Sequence, residues 1–278
     1  GRKSKGATLY INLEPCCHYG RTPPCSDLII ESKISRVVIS SLDPNPLVNG
    51  KSVKQLRKYG IKVKTGVLKK ESLELNKGFF SKFIKKRPHV TAKFGVSLDG
   101  KISLLNGTSK WITSLDSRKD VQEERASRSL IFTSSKTVLR DNPQMTIRDS
   151  ILLDKIIKQP DIAIIDRNLR IPINSKIFND KSRLVYIFTN RKQSSKKFRS
   201  NVILVKISSD NNKINIKECL RFLAKQDINS ILLESGSNLM GSFLRERLVD
   251  ELILYFSPRM LGSSAISFSG IQDIEKLS

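Results

Sequence analysis

The sequence predicts an α/β protein made of two domains. Its 278 residues exceed the usual length of one domain, and each half is long enough to bury a core. Short runs rich in Val, Ile and Leu alternate along the chain with segments whose apolar residues recur at helical spacing. This alternation is typical of strand–helix–strand units, in which helices cover the faces of a mostly parallel sheet.

The first domain is predicted to cover residues 1–87. Strands are predicted for ATLYINL, RVVISSL and IKVKTGV; between them lie the helices CSDLIIESK and VKQLRKYG, the second of which ends at Gly60. The segment KKESLELNKGFFSKFIKKR has a helical pattern interrupted at Gly78, and Pro88 then restarts the chain in extended form. We therefore expect the domain boundary between Arg87 and Pro88.

The second domain is predicted to cover residues 88–278, and whether a last strand follows Ser278 is left open. Strand candidates are HVTAKFGVS, SLIFTS, DIAIID, RLVYIF, NVILVKI, SILLES and DELILYF. Helical patterns occur in SRKDVQEERAS, IKECLRFLAK and LMGSFLRERL. We expect these strands to form a mostly parallel sheet with helices on its faces.

Cysteine content and hydropathy indicate a cytoplasmic protein without a membrane partner. Four cysteines in 278 residues, two of them adjacent, are too few for a disulfide framework. No apolar run approaches the roughly 18 to 20 residues of a membrane span, and the first residues lack the apolar core of a signal peptide. The chain starts with Gly1 almost directly before a predicted strand, so we expect an N-terminal piece to be missing.

The net charge of +24 raises the alternative of a nucleic-acid-binding protein. Lys and Arg are spread along the whole chain, however, with only short clusters such as KFIKKR and no basic-aromatic platform. This distribution favours a solvated, lysine-rich surface and no nucleic-acid partner. The positive potential still attracts phosphorylated small molecules.

The stretch LEPCCHYGRTPPC, Leu13 to Cys25, contains three of the four cysteines and one of the two histidines. Cys16 follows a predicted strand, and Cys25 starts a predicted helix, where free backbone N–H groups stabilise a thiolate. Zinc-dependent nucleobase deaminases combine an H-x-E element with a Pro-Cys element. Here eight residues separate Cys16 from Cys25. A turn-rich loop with incidental thiols gives the same spacing, so the pattern alone leaves both interpretations open.

Longer segments of the sequence, which include this cysteine stretch, resemble those of a known family. TLYINLEPCCHYGRTPPCSDLII and DPNPLVNGKSVKQLRKYGIKV are similar to the deaminase domain of the bifunctional deaminase-reductases of riboflavin biosynthesis. KFGVSLDGKI, GTSKWITS, VQEERASRS, SSKTVLRDNPQMTIR, LLESGSNLMGSFL and VDELILYFSPRMLG are similar to the reductase domain of the same family, in the same order. The resemblance implies a partial cytidine-deaminase-like domain followed by a dihydrofolate-reductase-like domain.

For the first domain, the resemblance implies that Cys16 and Cys25 bind Zn²⁺, and we expect their sulfurs to lie close together. Cys17 is then a neighbour that does not bind, and Cys219, in an apolar helical pattern, is a core residue. The family's third ligand and proton-carrying Glu belong to an H-A-E motif, and neither histidine of this chain has a Glu two positions later. His18 is expected to line the loop or the substrate. Ser52 replaces a usual glycine of the family.

For the second domain, the resemblance implies that NADPH and a phosphorylated pyrimidine ribosylamine are bound. No G-x-G-x-x-G occurs; GSNLMG, which turns a strand into a helix, can offer backbone N–H groups to a diphosphate instead, although the motif alone fits a plain strand-to-helix turn equally well. The implied NADPH residues are Gly95, Trp111, Thr137, Asp141, Gly236, Ser237, Asn238, Leu239, Met240, Gly241 and Ser242. The implied substrate residues are Ser109, Arg125, Met145, Arg148 and Glu234, and the two arginines suit a phosphate.

The implied activity is zinc-dependent deamination of a diaminopyrimidine, followed by NADPH-dependent reduction of its ribosyl group to ribityl. Lys93 and Asp141 are the candidates for proton transfer in the reduction, as an acid and its carboxylate partner. A homo-oligomer is also expected. Two alternatives stay open: a reductase whose deaminase half has decayed or is incomplete, and the basic nucleic-acid-binding protein.

Overall fold

A computed structural model of the chain describes residues 4–20, 22–108, 113–191, 197–210 and 213–271. The chain divides into two compact units, Gly1–Lys86 and Arg87–Ser278. In the described part of the chain, no helix has both the length and the apolar character needed to cross a membrane. The α/β class predicted from the sequence is confirmed in both units.

Unit 1 is built on a three-stranded parallel sheet in the order β1-β2-β3. The central strand, β2, is almost entirely buried, and its Val37 and Ile39 pack with Ile29, Val53 and Leu56 of the helices. The elements are β1 (Thr8–Leu13), α1 (Cys25–Glu31), β2 (Arg36–Ser41), α2 (Lys51–Lys58), β3 (Lys62–Thr65), α3 (Lys69–Leu75) and α4 (Lys77–Ile84).

The helix predicted over residues 69–87 breaks at Asn76, two residues before the predicted interruption at Gly78. Asn76 leaves the helical conformation, and its side-chain amide donates a hydrogen bond of 2.9 Å to the Ser72 carbonyl at the end of α3. Gly78 lies inside α4. The prediction placed the break wrongly because it used the conformational freedom of glycine and overlooked an asparagine that can cap a helix end.

Unit 2 contains a seven-stranded parallel sheet in the order β13-β4-β12-β6-β7-β8-β9. Its strands are β4 (His89–Ser97), β6 (Leu130–Ser134), β7 (Asp161–Ile165), β8 (Val185–Thr189), β9 (Val202–Lys206), β12 (Ser230–Leu233) and β13 (Glu251–Ser257). Short antiparallel pairs are formed by β5 (Lys101–Ser103) with β14 (Ile266–Ser267), and by β10 (Ser209–Asp210) with β11 (Lys213–Ile214). The helices are α5 (Leu115–Ala126), α6 (Ser135–Asp141), α7 (Ser150–Leu153), α8 (Ile216–Lys225) and α9 (Ser237–Arg245).

The central strands of unit 2 are apolar on both faces because each face of the sheet packs into a separate hydrophobic core. Along β6, Leu130 and Phe132 join one core cluster, whereas Ile131 joins the other. This alternation follows from the two-residue period of a strand. Cys219 of α8 is fully buried in the first cluster, which confirms its predicted place in the core.

The strand order brings distant parts of the chain together at the carboxyl edge of this sheet. β12 comes late in the chain but inserts between β4 and β6. Because all seven strands are parallel, their carboxyl ends meet at one edge, where open α/β sheets bind ligands. Glu234 directly follows β12, and Thr137 lies in the first turn of α6, directly after β6.

Candidate active site

A buried ion pair joins β4 to the end of β12. Ala92 pairs with Leu233 across the parallel ladder, so Lys93 and Glu234 come next to each other one residue further on. The Lys93 Nζ lies 3.3 Å from Glu234 Oε2, and both side chains are largely buried. The sequence paired Lys93 with Asp141; in the structure its carboxylate partner is Glu234.

Arg125 of α5 completes this cluster. Its Nε lies 2.6 Å and its Nη2 2.9 Å from the two carboxylate oxygens of Glu234. Burial by itself raises the pKa of Glu234, but the charges of Lys93 and Arg125 outweigh it and lower that pKa to about 2. The paired N–H groups that the sequence assigned to a substrate phosphate therefore bind Glu234 in this structure.

The cluster lies beside an open cleft of about 490 Å³. Lys93, Gly95, Arg125 and Arg148, all predicted site residues, line it together. Arg148 is exposed at the cleft. The remaining lining residues are Thr113, Leu115, Arg118, Lys119, Val121, Gln122, Asp149 and Tyr255.

The sequence prediction missed several polar side chains of this cleft. Arg118 and Gln122 precede Arg125 by seven and three residues on α5, so helical spacing places them on the same face. Tyr255 pairs with Gly95 across β13 and β4, and its hydroxyl donates to Asp120 Oδ2 at 2.5 Å. Burial, and then the hydrogen bond to Asp120, raise the pKa of Tyr255 well above its usual value. Helical spacing from Arg125 was the signal that could have identified the α5 residues.

The predicted NADPH residues lie mainly along the carboxyl edge of the sheet. Thr137 and the turn at Gly236 follow β6 and β12, which are neighbours in the sheet. Asp141 ends α6 and forms an exposed ion pair with Arg140. A Cβ at Gly95 would lie 2.7 Å from Thr113 Cγ2, so a larger residue at this point of the cleft wall would displace the Thr113 side chain. Trp111 and Ser109 lie outside the described residues.

The start of α9 is suited to a diphosphate. Gly236 is extended, and among the described residues no side chain caps the helix and no atom lies within 4 Å of a Cβ built at Gly236. The first N–H groups of a helix have no partner inside it and bind anions. Ser237 and Asn238 belong to the first turn of α9, Ser242 lies in its second turn, and Leu239 and Met240 are buried.

Gly241 of α9 and Met145 have structural explanations in addition to their predicted contacts. A Cβ at Gly241 would lie 2.8 Å from the carbonyl oxygens of Ser269 and Gly270, so glycine lets that segment cross the helix. Met145 is buried and has a left-handed backbone with φ of 51°. Its carbonyl accepts a hydrogen bond from Arg183.

In unit 1, Cys16 and Cys25 lie next to each other at the start of α1. The Cys25 N–H donates to Cys16 Sγ at 3.2 Å. The hydrogen bond with the Cys16 side chain, and then burial, raise the pKa of the Cys25 thiol. Two adjacent thiols fit part of a tetrahedral zinc shell. Within the described ranges, no group of three or more His, Cys, Asp and Glu residues could hold a metal ion.

Glu14 and His18, which flank these cysteines, have different environments. Glu14 is buried, and its carboxylate accepts hydrogen bonds from the N–H groups of Asp43 and Gly50 and from the Ser52 hydroxyl. It therefore organises the loop before α2, where Ser52 makes a bond that a glycine could not. His18 has a buried Nδ1 without a hydrogen-bond partner in the described part of the chain.

Comparisons with known proteins agree with the division of the chain into two units. The family model of the RibD C-terminal domain matches residues 88–277, and that of the cytidine and deoxycytidylate deaminase zinc-binding region matches residues 1–41. The riboflavin biosynthesis protein RibD of Aquifex aeolicus is 38% identical over 99% of this chain and 76% of its own length. RibD of Escherichia coli is 39% identical over 100% of this chain and 77% of its own length. This chain belongs to the RibD family.

Solved RibD structures share the fold. A diaminohydroxyphosphoribosylaminopyrimidine deaminase/5-amino-6-(5-phosphoribosylamino)uracil reductase from Thermotoga maritima is 37% identical, with a TM-score of 0.84 over 99% of this chain and 74% of that one. Acinetobacter baumannii RibD is 36% identical, with a TM-score of 0.88 over 100% of this chain and 76% of that one. The predicted fold class and riboflavin-biosynthesis family are confirmed: this RibD chain combines a reductase domain with a partial deaminase domain.

Proposed function

We propose that unit 2 reduces the ribosyl group of 5-amino-6-(5-phosphoribosylamino)uracil to a ribityl chain, with NADPH as the reductant. The observation that carries this proposal is the Lys93–Glu234–Arg125 cluster beside a cationic cleft at the carboxyl edge of the sheet. Membership of the RibD family supplies the reaction class, and the T. maritima relative is named for this substrate.

The charge of the cleft suits a phosphorylated substrate. Arg148, Arg118 and Lys119 line it, whereas the paired N–H groups of Arg125 are bound to Glu234. We assign the sugar phosphate to Arg148, which is exposed at the cleft and whose guanidinium can form two parallel hydrogen bonds with phosphate oxygens. Arg125 then acts through Glu234, as a support for the carboxylate.

Lys93 is the group we assign to proton transfer. When the sugar ring opens, its first carbon forms a C=N bond with the pyrimidine amine; reduction adds a hydride to that carbon and a proton to the nitrogen. NADPH, when bound, would supply the hydride. The Lys93 ammonium supplies the proton, and the ionised Glu234 holds the ammonium at the cleft. Asp141, paired with Arg140, keeps only its predicted role near NADPH.

The backbone at the start of α9 would hold the NADPH diphosphate. Its N–H groups lack a side-chain cap and follow β12, so they belong to the same sheet edge as Glu234. Gly95 lines the cleft without a side chain, which would leave room there for the nicotinamide.

Deamination requires more than this chain supplies. Cys16 and Cys25 would be two of the zinc ligands, but the sequence contains no H-x-E motif. We therefore expect the 278-residue chain to release no ammonia from the diaminopyrimidine. The predicted homo-oligomer and the boundary at residues 87 and 88 stay proposals.

The test is to follow NADPH oxidation by the purified chain with the phosphorylated uracil as substrate. Lys93→Met should reduce kcat by about 100-fold or more, because a proton donor is lost, while the dissociation constant of NADPH stays within about twofold. Lys225→Met, at an exposed position of α8, is the matched control. Absence of NADPH oxidation by the folded wild-type chain contradicts the proposed function.

A further inference from the structure

The loop Gln144–Arg148, which we call the arginine loop, connects α6 to α7 without helix or strand. Side chains from elsewhere in unit 2 nevertheless bind the backbone of every residue in it. Arg183 donates to the carbonyls of Gln144 and Met145 at 2.5 and 2.7 Å, Arg125 to that of Thr146 at 3.0 Å, and Gln122 accepts from the N–H of Arg148 at 2.8 Å. Gln159 binds both backbone groups of Ile147.

Gln159 acts on the loop in the way a neighbouring strand would. Its Oε1 accepts from the Ile147 N–H at 2.8 Å, and its Nε2 donates to the Ile147 carbonyl at 3.0 Å. A single amide thus satisfies the donor and the acceptor of one residue, as the backbone of a paired strand does. Ile147 is itself buried, so these two bonds fix the residue directly before Arg148.

Arg183 is an unusual residue for this position because its side chain is fully buried. In the described part of the chain it forms no ion pair; three carbonyl oxygens, including that of Ile177 at 3.3 Å, surround its guanidinium. Burial lowers its pKa to about 10, and the charge of Arg125 adds to this shift against the opposing charges of Asp180 and Asp161. A buried charge without an ion pair is costly, so stability alone does not explain an arginine at this position.

The loop matters because it carries Arg148. Within the loop, the side chains of Met145 and Ile147 are buried, whereas Arg148 is exposed at the cleft. An exposed arginine on an irregular loop loses considerable conformational entropy when it binds a phosphate. Holding its backbone in advance reduces that loss and increases affinity.

We propose that Arg183 and Gln159 are positioning residues of the reductase, which fix the arginine loop so that Arg148 meets the substrate phosphate. Neither side chain lines the cleft, so both act through Arg148. This inference rests on the proposed function, since it concerns the binding of the same substrate.

A double-mutant cycle between Gln159→Met and Arg148→Ala tests the inference. Gln159→Met keeps the length of the side chain but removes both bonds to Ile147. We expect it to raise the KM for the phosphorylated uracil about 10-fold and to leave the KM for NADPH within about twofold. In the Arg148→Ala background, the same change should raise the substrate KM by less than about twofold, because residues that act through one group are not additive.

Gln226→Met, at the exposed end of α8, controls for the substitution itself. Arg183→Met should raise the substrate KM in the same selective way; if it does not accumulate as folded protein, the Gln159 cycle decides alone. Equal increases of KM in both backgrounds, or equal losses for substrate and NADPH, overturn the inference. A folded wild type without reductase activity refutes the proposed function instead, and this inference with it.

Discussion

Replacing Glu234 by Gln removes the charge that holds Lys93 and Arg125 together while keeping the shape of the side chain. The carboxylate lies within 2.6 to 3.3 Å of nitrogens on both cations, and the residue is 8% exposed. The amide would leave two cations facing each other in a largely buried place. Breaking a buried charge cluster in this way typically costs about 3 to 5 kcal/mol.

The pKa of Glu234 gives a second route to this magnitude. Its lowering from 4.5 to about 2 corresponds to about 3 kcal/mol, at about 1.4 kcal/mol for each pKa unit. Because the folded pKa lies below the unfolded one, this stabilisation is complete above about pH 4.5 and is lost as the pH falls towards 2. The difference between wild type and Glu234→Gln should thus narrow from about 3 kcal/mol at pH 7 to about 1 kcal/mol at pH 3.

Denaturant unfolding followed by tryptophan fluorescence measures this difference. The chain has one tryptophan, Trp111. Glu123→Gln, at an exposed position of α5, is the matched control and should change the free energy of unfolding by less than about 0.5 kcal/mol. Equal unfolding midpoints for wild type and Glu234→Gln at pH 7, or a difference that does not depend on pH, refute the electrostatic reasoning.

Three further substitutions test other parts of the structure. Tyr255→Phe removes the hydrogen bond to Asp120, and we expect it to destabilise unit 2 by about 1 kcal/mol in the same fluorescence assay; an unchanged midpoint contradicts that bond. Gly241→Ala places a methyl group against two carbonyl oxygens, and it should lower the melting temperature although alanine favours helices; a higher melting temperature would show that residues 269 and 270 yield easily. Cys219→Ser places a hydroxyl in the apolar core and should cost about 2 kcal/mol, measured by denaturant unfolding, whereas Cys17→Ser should have little effect.

Most of the fold could be predicted from the local pattern. The strand HVTAKFGVS is found with the predicted bounds, and the seven strands predicted for the second domain form one parallel sheet. The short elements β5, α7, β10, β11 and β14 were not predicted. They contain two to four residues each, too few for a strand or helix period to show.

The site was predictable only in part. The resemblance to the family identified four residues that line one cleft: Lys93, Gly95, Arg125 and Arg148. It also identified Glu234, which forms ion pairs with Lys93 and Arg125. It could not show that Glu234, 141 residues after Lys93 in the chain, is the carboxylate that pairs with it. Tyr255 was overlooked because an aromatic residue in a strand pattern fits a core position equally well.

The sequence by itself determined the α/β class, the order of the long strands and the family. These features depend on local periodicity and on residue identity, and both can be read directly from the sequence. Only the tertiary structure decided which charges meet: the insertion of β12 between β4 and β6 brings Glu234 to Lys93, and Arg183 reaches the arginine loop from the edge of β8. Such pairs depend on sheet order and on the free energy of burying charge, and neither can be read from spacing in the sequence.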